Sequence, residues 1–357
     1  MSGNLSSNDA PVLNWANTDI DKEVALGAVD WDALLQYAQA TRQKMEKSEV
    51  PFTCQLSVEN NKGGRNLVRR LHFQDGACWL VRIQLDDPTP ESIQRLEQEV
   101  HTMSVVRERS EIPVPEVYAY EANYDNVFGA PFMLMEFLPG DTIMDSFGGY
   151  QVHKGKIPEN FTPDFHATLA DIQVQMSAIR FPQIGGIVKD SNGTYCVGPL
   201  PGIGGPFDSP AQFLEAWADH PKFPYSEKTI RERTPPQLVD EILDNIVLAS
   251  QYYVIDWEDS FILPWEMVEF AKDLCMLPPA LDGPLYHEDE TDRKRLADRE
   301  NYINLVRAAE EARGLDHHLS VTLANSTVQN FAHAMWLYQI DGRIGFYNDV
   351  INSVLGR

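Results

Sequence analysis

The sequence predicts a two-lobed α+β protein, a small antiparallel-sheet lobe followed by a larger and mostly helical one. Three observations predict it. Three short strand-like runs, Phe52–Val58, Leu67–Phe73 and Cys78–Leu85, stand close together ahead of a long helical pattern. Such runs separated by turn residues pair as hairpins. An apolar run, Pro131-Phe132-Met133-Leu134-Met135, then breaks at Pro139-Gly140, and proline with glycine punctuates elements. Past that boundary helical spacing dominates, interrupted by Tyr252-Tyr253-Val254-Ile255-Asp256. That stretch reads as a short buried strand delivering one carboxylate to its end. A carboxylate so placed needs a cation or hydrogen-bond donors; the alternative is an ordinary loop or cap residue.

Composition bounds the function. A chain of 357 residues can build two lobes, and 43% apolar with 23% charged residues is ordinary for a globular protein. The net charge of −24 is not ordinary. It argues against nucleic acid and against an anionic membrane as partner, since both call for basic patches. It is compatible with a cationic small-molecule substrate, or with solubility alone. Four cysteines, Cys54, Cys78, Cys196 and Cys275, are scattered without metal-site spacing. They read as buried free thiols in a reducing compartment. Residues 1–14 carry no basic-then-apolar leader pattern, and no run approaches the ~18 apolar residues of a membrane span. A cytoplasmic protein is expected.

In chain order, residues 1–19 read as a disordered tail. Asp30 to Lys47 has helical spacing, with Trp31, Leu34, Leu35, Tyr37 and Ala38 apolar. The stretch Asn60-Asn61-Lys62-Gly63-Gly64-Arg65-Asn66 reads as a turn, and Gln74-Asp75-Gly76 as a second. Glycine lets backbone amides approach phosphates closely, so Gly63-Gly64 is a candidate phosphate cover; an ordinary hairpin loop is the alternative. Arg82 stands inside the apolar third run and needs a partner. The alternative is a wet strand face, because Leu80 and Arg82 share one side. Pro90 to Arg109 is helical, with Leu96, Glu99, Val100, Met103 and Val106 recurring at helical intervals. Glu99 is the expected partner of Arg82, and Glu97 the alternative. Ile112-Pro113-Val114-Pro115 is an extended connection. Phe165 to Ile179 reads as a helix with Leu169, Ile172, Met176 and Ile179 on one face. Ile184-Gly185-Gly186, Tyr195–Pro199 and Gly205–Phe207 read as loop punctuation before a helix at Phe213–Trp217. A helix starts at Trp265 behind Pro264, and Arg293–Arg313 and Ser320–Gln339 are two terminal helices.

Val254-Ile255-Asp256-Trp257-Glu258, together with Arg82, Glu99, Ile112–Pro115 and Glu136-Phe137-Leu138-Pro139-Gly140, resembles the aminoglycoside phosphotransferase family, kinase-like small-molecule phosphotransferases, and its fungal branch above all. The likeness runs roughly from Pro51 to Phe270. The resemblance implies a protein-kinase-like fold, with residues 20–139 as a nucleotide-binding lobe and 140–357 as the metal and substrate side. It implies ATP and Mg²⁺, and phosphoryl transfer to a small-molecule hydroxyl. Arg82 takes the place of the kinase lysine that touches phosphates and pairs with a helix glutamate. The backbone of Glu136, Phe137 and Leu138 takes the hinge that meets adenine. Asn245 and Asp256 take the metal positions, and Asp240 the catalytic base.

One part departs from the family. Its His-x-Asp loop has Leu238 at the histidine position, and Pro235 to Asp244 reads as a helix start with Leu238, Ile242, Leu243 and Ile246 on one stripe. The stretch from Phe213 to Asn245 is short for the family, as if a segment before Asn245 were deleted. The expectation is therefore weak MgATP binding and no detectable turnover. Asp240 acts as base only if the loop re-forms. The competing reading is a catalytically dead pseudokinase that binds or scaffolds.

Overall fold

The computed structural model describes residues 27, 29–62, 66–85, 89–126, 128–140, 146–153, 158–218, 231, 262–270 and 290–341. Among them, one compact unit lies within Asp19–Gly140 and Gly186–Gly202, and a second within Asp141–Gly185 and Ile203–Arg357. The expected tail at 1–19 lies outside the described residues, as do the stretches carrying Gly63-Gly64, Asp240, Asn245 and Asp256.

The first unit begins with α1 (Trp31–Glu46). Asp30 caps it, its side chain accepting from the Ala33 N–H at 2.9 Å, which satisfies one orphan donor of the first turn. Leu34, Ala38 and Arg42 are buried at four-residue spacing. Strands β1 (Cys54–Lys62), β2 (Asn66–Phe73) and β3 (Cys78–Gln84) follow, then α2 (Pro90–Arg109), β4 (Val117–Glu121) and β5 (Phe132–Glu136). The five strands form one antiparallel sheet in the order β1-β2-β3-β5-β4. The turn expected from Asn60 starts later: Asn60, Asn61 and Lys62 pair with Arg69, Val68 and Leu67 across an irregularity after Leu56. Ladder hydrogen bonds there outweigh the turn preference of asparagine. At the second turn Gly76 has φ 91°, open to glycine at no steric cost.

The sheet has two covered faces. On one, Trp79, Val81, Ile83, Leu71, Phe132 and Leu134 pack with Leu34 and Ala38 of α1. On the other, Leu80, Met133 and Met135 meet Leu96, Val100 and Met103 of α2. Thr89 and Ser92 form a reciprocal capping box at the start of α2, with Pro90 at the first helical position.

Arg42 ties α1 to the β2–β3 turn. Its guanidinium lies 4.4 Å from the ring centres of both Phe52 and Phe73, and its two Nη atoms meet the Asp75 carboxylate at 2.8 and 2.6 Å. Those hydrogen bonds hold the Asp75 carboxyl below its usual value of 3.8. A lowered folded-state value means the pair's contribution is complete above 3.8 and is lost as pH falls through the folded value. Asp75→Asn should therefore lower the melting temperature by a constant amount near neutrality. That gap should close as the pH falls below 3.8. Thermal melts of both proteins across the acid range check this, and a gap independent of pH would refute it.

Two further strands, β6 (Gly186–Lys189) and β7 (Tyr195–Gly198), form an antiparallel hairpin in the same unit. This corrects the loop reading of Ile184–Pro199. The turn is built by Asp190, whose carboxylate accepts from the Asn192 and Thr194 N–H groups at 2.8 and 2.9 Å, and by Gly193 at φ 78°. The Asn192-Gly193 pair between Ile187-Val188 and Tyr195-Cys196-Val197 was the available hairpin signal.

The second unit holds α3 (Tyr150–His153), α4 (Thr162–Ala178), α5 (Pro210–Ala218), α6 (Glu290–Ala312), α7 (His318–Ala324) and α8 (Ser326–Asp341). Its core joins Ala170 and Val174 of α4 to Tyr302 and Val306 of α6, with Leu319, Leu323 and Phe270. Three expectations change here. The buried face of α4 is His166, Ala170, Val174 and Gln175, while Met176 is 40% exposed, because α6 packs on that side. The segment from Trp265 is a single 3₁₀ turn, Trp265–Met267, with Val268 extended. The amides of Gln329 and Gln173 take the carbonyls of Val268 and Glu269 at 2.8 and 2.7 Å, acceptors that a continuing helix would use itself. The last helix divides at Asn325, whose side chain accepts from the Val328 N–H at 3.2 Å and so starts a new helix.

Candidate functional site

The site is built on the central strand. In β3, alternation sends Val81 and Ile83, both fully buried, to the α1 face and Leu80 with Arg82 to the α2 face. Val68 of β2 and Met133 of β5 flank Arg82 in register. Leu96 and Val100 seat α2 against Leu80, Met133 and Met135. That contact turns Glu99, one residue from Val100, over the strand. Arg82 Nη1 and Glu99 Oε1 form an ion pair. Both side chains are half-buried, 21% and 23% exposed, so solvent screens the pair only in part.

Glu97 sits on a neighbouring face. Burial first, and then the nearby Glu121, raise its carboxyl above the usual range. It also lies in the field of Tyr120 rather than beside the strand arginine.

At the end of β5, Glu136, Phe137 and Leu138 have different surroundings. The Glu136 carboxylate accepts from the Glu116 N–H at 3.1 Å and meets Arg107 Nη1 at 3.4 Å. Arg107 also donates to the Val114 carbonyl at 2.7 Å, which pins the proline-rich connection to the end of β5. Phe137 lies under the Arg70 guanidinium, 5.0 Å from its ring centre. Leu138 is 41% exposed. Residues 137–140 lie beyond the strand. The structure thus brings Arg82 and Glu99 together and sets Glu136–Leu138 at the end of a strand bonded to the Arg82 strand. Gly63, Gly64, Asp240, Asn245 and Asp256 lie outside the described residues.

Sequence reasoning missed the β6–β7 hairpin as a neighbour of α2. Gln94 Nε2 and Gln98 Nε2 both donate to the Pro199 carbonyl, at 2.7 and 2.6 Å. One turn further on, burial and then the nearby Lys189 lower the pKa of His101. Tyr195 packs its ring edge on His101 and under the Lys189 ammonium, 4.6 Å away.

A family model described as the phosphotransferase enzyme family, APH, matches residues 58–267. Curated fungal relatives include the altered inheritance of mitochondria protein 9, mitochondrial, of Candida glabrata, 27% identical over 41% of this chain and 25% of that protein. A subtelomeric hrmA-associated cluster protein of Aspergillus fumigatus is 29% identical over 40% of this chain and 26% of its own length. The chain thus spans about a quarter of the length of the curated relatives it matches. Among solved structures, the Plasmodium vivax ethanolamine kinase is 11% identical, covering 98% of this chain and 96% of its own, with a TM-score of 0.36. Among the described residues no helix is long and apolar enough to cross a membrane. The family model covers more than half of the 357 residues, so the chain belongs to the phosphotransferase enzyme family and has its kinase-like α+β fold.

Proposed function

We propose that this protein binds ATP with Mg²⁺ through its sheet unit and serves phosphoryl transfer to a hydroxyl of a small molecule. The observation that carries the reading is the half-buried Arg82–Glu99 pair on the central strand. A guanidinium oriented by one carboxylate keeps forked N–H donors for phosphate oxygens, so its chemistry fits a nucleotide polyphosphate. Adenine meets the main chain of Glu136, Phe137 and Leu138, because the Glu136 side chain is already engaged with Arg107 and the Glu116 N–H. Gly63 and Gly64 cover the phosphates. Asn245 and Asp256 are the oxygen ligands that would hold Mg²⁺, a hard cation that prefers such donors and would neutralise phosphate charge. Asp240 would take the acceptor hydroxyl's proton. The net charge of −24 supports a cationic acceptor. A reducing cytosol suits the free thiols of Cys54, Cys78 and Cys196.

A second reading, a nucleotide-binding scaffold without turnover, is favoured by Leu238 where the family has histidine. One set of measurements tests both. Calorimetry with ATP and Mg²⁺ should show binding weaker than about 1 μM. That binding should disappear in Asp256→Ala and persist in Asp244→Ala. Equal effects of the two changes would sink the metal assignment. Turnover with an alcohol acceptor, stopped by Asp240→Asn, establishes the transferase; binding without turnover establishes the scaffold.

A further inference from the structure

The β6–β7 hairpin touches α2 at Gln94 and Gln98, through the Pro199 carbonyl, and at His101, through the Tyr195 ring, one stripe at helical spacing. Glu99 is the next residue after Gln98. The Pro199 carbonyl receives two side-chain amides at once, and Gln98 is buried. Opposite it stands Gly186, where a Cβ would fall 2.1–2.2 Å from the Gln98 amide atoms. Glycine is required there by space, not by backbone angle. Nothing in the core of the sheet demands this arrangement, because Leu96 and Val100 already hold α2 by apolar contact. What the polar stripe adds is rotation and height: two directed hydrogen bonds define where the helix stops turning, and apolar contacts do not.

We propose that the hairpin is a brace for α2 that sets Glu99 against Arg82, with Gln98 and Gly186 as positioning residues. This rests on reading that pair as the orienting device for nucleotide phosphates, whose partners must both be in place. The brace acts on the phosphate end of the ligand and leaves the adenine end alone, because the hinge belongs to β5.

The test compares MgATP with adenosine, a ligand without phosphates, on the full chain. Gly186→Ala drives the buried Gln98 amide off the Pro199 carbonyl and lowers stability modestly. It should weaken MgATP about tenfold, the scale of one directed polar interaction, leaving adenosine affinity unchanged. Gln98→Ala should do the same. In the double variant the new methyl meets no amide, so the effects should not add. If Gln98→Ala fails to fold, Gly186→Ala decides alone. Equal losses for MgATP and adenosine, or additive effects, would overturn the brace. So would an unchanged MgATP affinity in Gly186→Ala while Arg82→Ala lowers it. If Arg82→Ala also leaves the ratio of MgATP to adenosine affinity unchanged, or if the native chain binds neither ligand, the nucleotide reading has failed and the brace with it.

Discussion

Arg82→Ala should weaken MgATP binding by roughly thirtyfold, the equivalent of ~2 kcal/mol for hydrogen bonds to a charged group. Two losses add. The phosphates lose a forked donor, and Glu99, only 23% exposed, keeps a negative charge facing them with no cation between. Arg82→Lys should recover part of the affinity, since the charge returns without the fork. Glu99→Gln should fall between, because the arginine stays but loses its orienting carboxylate. Adenosine should bind all these variants alike. Raising the salt concentration should shrink the differences, as the pair is partly solvated. Calorimetric titration of the four proteins reads this directly. An Arg82→Ala protein that binds MgATP as the native chain does would remove the strand arginine from the site.

Phe132→Ala should cost about 3–5 kcal/mol of stability, the range for deleting a buried aromatic ring. Phe132 is fully buried at the start of β5. It meets Phe128 edge-on at 4.9 Å and Tyr37 of α1 at 5.5 Å between ring centres. The empty volume would lie between the sheet and α1, where rigid rings on both sides cannot collapse into it. At roughly 2–4 °C per kcal/mol for a chain of this size, the melting transition should drop by about 10 °C. Phe132→Leu should cost only about 1 kcal/mol, since most of the volume is kept. A drop of a degree or two for the alanine variant would show that this face of the sheet is not closed.

The pairing of Arg82 shows how far local sequence reaches. Alternation along Trp79-Leu80-Val81-Arg82-Ile83 separates the two faces of the strand without any structure. The interval from Leu96 through Val100 to Met103 likewise marks which side of the helix is apolar. Choosing Glu99 over Glu97 requires more: the helix has to be seated on Leu80, Met133 and Met135 before either carboxylate has an address. The end of β5 was legible because proline and glycine end a strand through their own backbone constraints. The role of the Glu136 side chain was not, since Arg107 and Glu116 reach it from other elements.

By itself the sequence determined the order and type of α1, β1, β2, β3, α2 and β5, and the break after β5. Each of these depends on residues within a turn or two of one another, where dihedral preference and local hydrogen bonding dominate. Tertiary structure alone decided four other things. It carried β1 through Asn60–Lys62, because a partner strand offered ladder bonds. It chose the buried face of α4, because Tyr302 and Val306 pack on one side of a helix that is apolar on two. It halted the helix at Trp265, because Gln173 and Gln329 took its carbonyls. And it laid the β6–β7 hairpin on α2, where a missing Cβ at Gly186 lets Gln98 reach Pro199, a fit between residues about a hundred positions apart that no local pattern encodes.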